Sequence, residues 1–152
     1  MHVVLVEPQI PPNTGNISRT CAITNTTLHL VEPLGFSIDE RHLKRAGLDY
    51  WQYLQLQTHA NLDAFLSILT EQNFWLLSTK AQQSYADVSY QANDYLLFGK
   101  ETAGLPAWLL DKYPKRCLRI PMGEEVRSLN LSNSVAIVLY EGLRQQGFPN
   151  LR

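Results

Sequence analysis

Cysteine is nearly absent from this sequence of 152 residues: Cys21 and Cys117 stand far apart, and neither belongs to a Cys-x-x-Cys pair or a Cys/His cluster of metal-ligand spacing. A cysteine-based metal centre is excluded, no metal is implied, and both residues read as buried free thiols. Charge is also scarce. Asp, Glu, Lys and Arg make up 18% of the chain and leave a formal net charge of -1. That rules out a general nucleic-acid coat, whose binding energy comes from many cations displacing counterions. Any contact with RNA must come from a local patch. No apolar run approaches the ~20 residues of a membrane span, and Met1 leads directly into His2-Val-Val-Leu-Val-Glu7 without the features of a secretory leader. The expectation is a cytoplasmic protein without a membrane partner. No Gly-x-Gly-x-x-Gly follows a strand, which sets aside a Rossmann dehydrogenase.

With 45% hydrophobic residues and neither repeat nor linker, the chain is expected to form one domain over 1–152. Short apolar runs near 2–7, 27–32, 53–57, 74–79, 94–98 and 116–120 are candidate strands. Helical patterns fall near 14–25, 39–46, 61–72, 106–111 and 130–146. The alternation predicts an α/β fold with a mostly parallel sheet flanked by helices. In the last helix Leu131, Val135, Val138, Leu139, Gly142 and Leu143 form an apolar face that needs a packing partner. Asn61 caps a helix carrying Leu62, Phe65, Leu66 and Leu69, which reads as structural. The polar stretch 81–93 reads as a mobile surface connection.

Parallel sheets bind ligands at the carboxyl ends of their strands, and three rich loops fall there. In the first, Pro8 to Arg19, prolines stiffen the entry and Asn13 or Thr14 is expected to cap the helix, placing Arg19 in its first or second turn. A cation there opposes the helix dipole, so Arg19 points either to an anionic partner such as phosphate or to a mildly unfavourable exposed side chain. The second, Leu96 to Pro106, carries Gly99 and Gly104, which permit a tight turn and close backbone approach to a ligand. It is not a nucleotide P-loop, because Leu105 and Pro106 follow the second glycine where Lys and Ser or Thr belong. Glu101 in this turn either holds loop amides or faces a cationic group. The third runs from Ile120 to Ser134. One helix cap needs a single residue, yet Ser128, Asn130, Ser132 and Asn133 are all present, leaving some to meet substrate, the first loop or a tight interface.

The segments 7–19 (EPQIPPNTGNISR), 29–36 (HLVEPLGF), 45–50 (RAGLDY), 98–106 (FGKETAGLP), 120–122 (IPM) and 127–136 (RSLNLSNSVA) together resemble the SPOUT (α/β-knot) superfamily. Within it, the chain is similar over nearly its whole length to the single-domain bacterial tRNA (cytidine/uridine-34 2′-O)-methyltransferases. The resemblance implies a C-terminal deep trefoil knot and a homodimer with its active site at the subunit interface. It also implies S-adenosylmethionine-dependent 2′-O-methylation of tRNA at the wobble nucleotide. By position, Leu77, Gly99, Ile120 and Ser128, with Met122 and Leu129, would hold the cofactor, and Asn13, Arg19, Glu101, Ser128 and Asn130 would form the catalytic and RNA-handling set. Arg41, Lys44 and Arg45, on a short helix with His42, are candidates for docking the RNA backbone, against the plainer reading of a solvated helix face. Relatives often have Pro where this chain has Lys100 and Arg where it has Ala103; Lys100 is the candidate replacement for the missing cation. Two other readings share these loops: methylation of another tRNA or rRNA position, and a non-catalytic dimeric RNA-binding module.

Overall fold

A computed structural model describes residues 1–38, 50–69 and 73–152. Seven strands form one sheet: β1 (His2–Val6), β2 (Thr27–Val31), β3 (Leu56–His59), β4 (Phe74–Leu77), β5 (Gln83–Ser84), β6 (Tyr95–Phe98) and β7 (Cys117–Arg119). Their order is β3-β2-β1-β6-β4-β7-β5, and every pairing is parallel. The helices are α1 (Pro11–Ile23), α2 (Leu62–Leu66), α3 (Ala107–Lys112) and α4 (Leu131–Gln145).

Side chains alternate across a strand, and β1 uses both directions. Val3 and Leu5 join Ile17 and Cys21 of α1 and Val135, Val138 and Leu139 of α4 in one core. Val4 and Val6 join Leu62 and Phe65 of α2 and Leu109 of α3 in the other. Helices therefore cover both sheet faces, which is why the central strands are mostly apolar rather than alternating. The apolar face read in α4 is the one that packs here, and α1 lies beside it. Cys21 and Cys117 are both free and buried, as expected.

Several boundaries differ from the sequence reading. The helix expected from residue 14 begins at Pro11, because the first helical positions need no partner for their N–H groups and proline has none to satisfy. The strand expected at 53–57 lies at Leu56–His59, and Trp51–Tyr53 form a 3-10 turn. This edge strand exposes Gln57 and Thr58, so its composition is polar. β5 is equally polar and only two residues long. The helix read at 61–72 covers Leu62–Leu66, and residues 70–72 lie outside the described residues, as does the helix expected at 39–46. The 81–93 connection is pinned rather than loose: Tyr90 is buried, its hydroxyl donates to Tyr85 O, and Gln145 of α4 and Gln146 directly after it bond its backbone.

On the α2 side of the sheet, three imidazoles cross β1, β2 and β3 in series. His2 Nδ1 lies 3.0 Å from His29 Nε2, and His29 Nδ1 lies 2.9 Å from His59 Nε2. Phe65 and Tyr95 pack their rings against His29. Burial, reinforced by His2 and His59, pushes the His29 pKa down to about 4. The unfolded chain takes up that proton near pH ~6.5, so in the intervening window the unfolded state binds more protons. Stability from this site is complete above about pH 6.5 and declines as pH falls towards 4. Thermal unfolding should follow this decline, and His29→Leu should make it shallower without abolishing it, because His2 and His59 are shifted in the same direction.

Candidate active site

The N-terminus of α1 lacks a side-chain cap of its own, since Ile10 occupies the cap position. Glu101, arriving from the loop after β6, takes that role. Its Oε2 accepts from Gln9 N at 2.8 Å, and its Oε1 accepts from Ile10 N at 3.0 Å and from Asn13 Nδ2 at 3.2 Å. A carboxylate there also meets the positive end of the helix dipole. Partial burial would raise the Glu101 pKa, but the hydrogen bonds from Gln9, Asn13 and Ile10 outweigh it and hold the group below the usual carboxylate range. Of the two roles open to Glu101, it performs the amide-holding one, and the amides belong to the first loop.

Asn13 is therefore not the cap of α1 but sits inside its first turn, 6% exposed, passing the connection onward. Its Oδ1 accepts from Asn130 Nδ2 at 2.9 Å. Asn130 in turn caps α4, its Oδ1 accepting from Ser132 N at 2.9 Å and Ser132 Oγ at 2.6 Å. One hydrogen-bonded chain, Glu101 to Asn13 to Asn130, thus joins all three loops. Two flanking contacts strengthen the first joint: Thr102 Oγ1 donates to Gln9 Oε1, and Lys100 pairs with Glu7 at 2.9 Å. Glu7 has a φ of 51°, a left-handed conformation that non-glycine residues rarely adopt, held between Lys100 and a bond from its own N–H to Val31 O. Lys100, the candidate replacement for the cation missing at Ala103, pairs with Glu7 and also lines the cavity beside the second loop.

The two glycines of the second loop serve the loop itself. A Cβ on Gly99 would lie 1.9 Å from the carbonyl carbon of Gly104, so the absence of a side chain at position 99 lets the two arms of the turn cross in close contact. Gly104 has a φ of 70°, and its N–H bonds back to Lys100 O. This crossing shapes one wall of a cavity of about 510 Å³ at the carboxyl ends of β4, β6 and β7.

Leu77, Gly99, Ile120, Met122, Ser128 and Leu129 all line the cavity, together with Asn13, Glu101 and Asn130. Ser78, Thr79, Lys80, Phe98, Leu118, Arg127 and Ser134 line it too, and the sequence reading did not include them. Ser78, Thr79 and Lys80 could have been found, since they directly follow the strand that ends at Leu77. Arg19 does not line the cavity. It is the ninth residue of α1, beyond the turns where the helix dipole acts, because the helix starts earlier than expected. The residue is exposed, with its guanidinium carbon 5.3 Å from the centre of the Tyr50 ring. Arg41, Lys44 and Arg45 lie outside the described residues.

The cavity has the size of a small-molecule site. Leu77, Phe98, Leu118 and Ile120 offer apolar walls to a flat ring, while Ser78, Lys80, Ser128 and Ser134 give the rim hydroxyls and a cation for a charged tail. Such a lining fits S-adenosylmethionine. Among the described residues no group of His, Cys, Asp and Glu is arranged to hold a metal.

The sequence profile described as the SpoU rRNA Methylase family matches residues 1–140, and the chain belongs to that family of methyltransferases. The tRNA (cytidine(34)-2′-O)-methyltransferase of Escherichia coli (strain K12) is 49% identical over 150 residues, covering 98% of this chain and 96% of that protein. A structure solved for insight into the 2-OH methylation of C/U34 on tRNA superimposes with a TM-score of 0.89 at 43% identity, covering 96% of this chain and 95% of that one. A SpoU methyltransferase from Streptomyces viridochromogenes in complex with AdoMet shares the fold, with a TM-score of 0.78 at 22% identity over 100% of this chain and 59% of that one.

The three-loop chain makes an energetic prediction. Three donors converge on the Glu101 oxygens, so Glu101→Gln turns an amide NH₂ towards at least one of them. The expected loss is about 1 kcal/mol in urea denaturation, modest because the site is part-exposed. Asn130→Ala should lose a similar amount, and the double variant less than the sum, since both break one connected chain.

Proposed function

We propose that this chain uses S-adenosylmethionine to methylate the ribose 2′-hydroxyl of the wobble nucleotide, position 34, of tRNA. The observation that carries this reading is the cavity framed by the Glu101–Asn13–Asn130 connection, in a chain 49% identical to a tRNA (cytidine(34)-2′-O)-methyltransferase over nearly its full length. In the proposal Leu77, Gly99, Ile120, Met122, Ser128 and Leu129 hold the cofactor. When bound, the cofactor supplies the methyl group and leaves as a neutral thioether. The remaining work is alignment of the attacking oxygen and management of its proton. Ser128 and Asn130 orient the ribose, Asn13 carries the connection between loops, and Glu101 fixes the second loop against α1.

Arg19 is assigned to bind the phosphate next to the target ribose and to stabilise negative charge developing on the 2′-oxygen. A guanidinium stays protonated to pH ~12 and above, so it is a poor base and a good anion partner. Because Arg19 lies outside the cavity of its own chain, the proposal has it serve the cavity of a second copy, in a homodimer. In support, the adjacent helices α1 and α4 leave Ile23, Ile137 and Tyr140 exposed, with Phe148 packed near Tyr140. Apolar exposure of this kind marks association surfaces. The same reading includes a trefoil knot in the C-terminal segment, one domain over 1–152 and a cytoplasmic location. Arg41, Lys44 and Arg45 are its RNA-docking cations.

The test is incubation of purified protein with labelled S-adenosylmethionine and tRNA from cells lacking this modification, followed by mapping of 2′-O-methylated nucleotides by mass spectrometry. Methyl on the ribose of nucleotide 34 is expected; methyl at another position would replace the substrate, and cofactor binding without transfer would overturn the enzymatic assignment. Charge reversal at Lys44 and Arg45 together should raise KM for tRNA several-fold while leaving cofactor affinity unchanged.

A further inference from the structure

Arg19 poses a physical problem: an exposed arginine on a helix surface has many rotamers, whereas an arginine that meets a phosphate and a reacting oxygen must be held in few. Among the described residues no carboxylate or carbonyl holds its guanidinium. What lies beside it is Tyr50, 7% exposed, whose ring centre is 5.3 Å from the guanidinium carbon. The Tyr50 ring is itself fixed at its far end, since its hydroxyl donates to Gly15 O at 3.0 Å. Gly15 precedes Arg19 by one helical turn, so ring and hydroxyl lie along successive turns of α1. The backbone is also anchored, as Tyr50 O accepts from Tyr53 N in the 3-10 turn that follows.

We infer that Tyr50 is a positioning residue for Arg19: its ring face holds the guanidinium in the orientation that meets an RNA phosphate and the 2′-oxygen. An aromatic face attracts the cation through its quadrupole, while a carboxylate partner would occupy the N–H donors and cancel the charge that the substrate needs. Cation–π contact thus restrains the arginine without neutralising it. This inference rests on the assignment of Arg19 to the reaction, and the experiment separates the two.

Single-turnover methylation rates would be measured for Tyr50→Met and Tyr50→Phe in the natural and Arg19→Lys backgrounds, with tRNA KM, cofactor affinity and thermal unfolding recorded on each. Tyr50→Met, which fills the site without a π face, should slow turnover about tenfold with KM and cofactor affinity nearly unchanged. Tyr50→Phe keeps the ring and should keep most of the rate, with a small fall in Tm from the lost bond to Gly15. In the Arg19→Lys background, Tyr50→Met should cost at most twofold. An equal factor in both backgrounds, or equal loss in Met and Phe variants, would show a structural role and overturn the inference. If Arg19→Lys alone left turnover intact, the Arg19 assignment would fail instead. Should Tyr50→Met not fold, progressively fluorinated phenylalanines at position 50 decide the matter. Rates falling with each fluorine support the cation–π contact, and rates indifferent to fluorination exclude it.

Discussion

The carboxylate of Glu101 at the uncapped N-terminus of α1 is the contact on which the candidate site depends. Residues 9–13 and residue 101 are remote in sequence, and three charge-assisted hydrogen bonds hold them together. From that joint Asn13 reaches Asn130, which fixes the start of α4, and α4 packs over the core that α1 also covers. The positions of the cofactor-sized cavity, the second loop and the last helix are therefore coupled. An ordinary cap such as serine at position 10 would satisfy α1 locally and leave the loop after β6 without its anchor. Placing an isoleucine there and the acceptor in another loop makes the helix terminus depend on the site being assembled.

The sheet determines where this assembly can happen. With all pairings parallel, every strand delivers its carboxyl end to the same edge, and β4, β6 and β7 are adjacent there. Their apolar residues Leu77, Phe98 and Leu118 reach the cavity as continuations of the core, which accounts for an apolar floor beneath a polar rim. The crossing of Gly99 over Gly104 leaves no space for a side chain at position 99.

Much of this was legible in the sequence and some was not, for identifiable reasons. Central strands and α4 were readable because burial on both faces, or on one helical stripe, leaves a strong apolar pattern. β3 and β5 were misplaced or missed because edge strands pair on one side only and tolerate Gln57, Thr58 and Gln83. The start of α1 was misread because two prolines look like a loop, although the first helical turn suits a residue without an N–H. With the helix starting at Pro11, Arg19 lies in its middle, where the dipole of the helix end no longer bears on it. The candidate cofactor residues were carried over by position from the family resemblance, and the structure brings all six to one cavity. What no motif displayed was the wiring: that Glu101 serves α1, that Asn13 relays rather than caps, and that Lys100 pairs with Glu7.

Under the proposed function, a chain of net charge -1 must make few cations count against RNA. Charge density over a surface gives affinity without register, since phosphate contacts are repetitive and long-ranged. Register for an in-line displacement requires instead that one cation be fixed to a fraction of an ångström. In the proposed function that cation is Arg19, and an aromatic ring suits it better than an ion pair, because a ring restrains the guanidinium while its charge remains available. On that proposal the scarcity of charge and the placement of Arg19 over Tyr50 are two sides of one solution, in which rigidity does the work that a basic surface does in proteins that only bind.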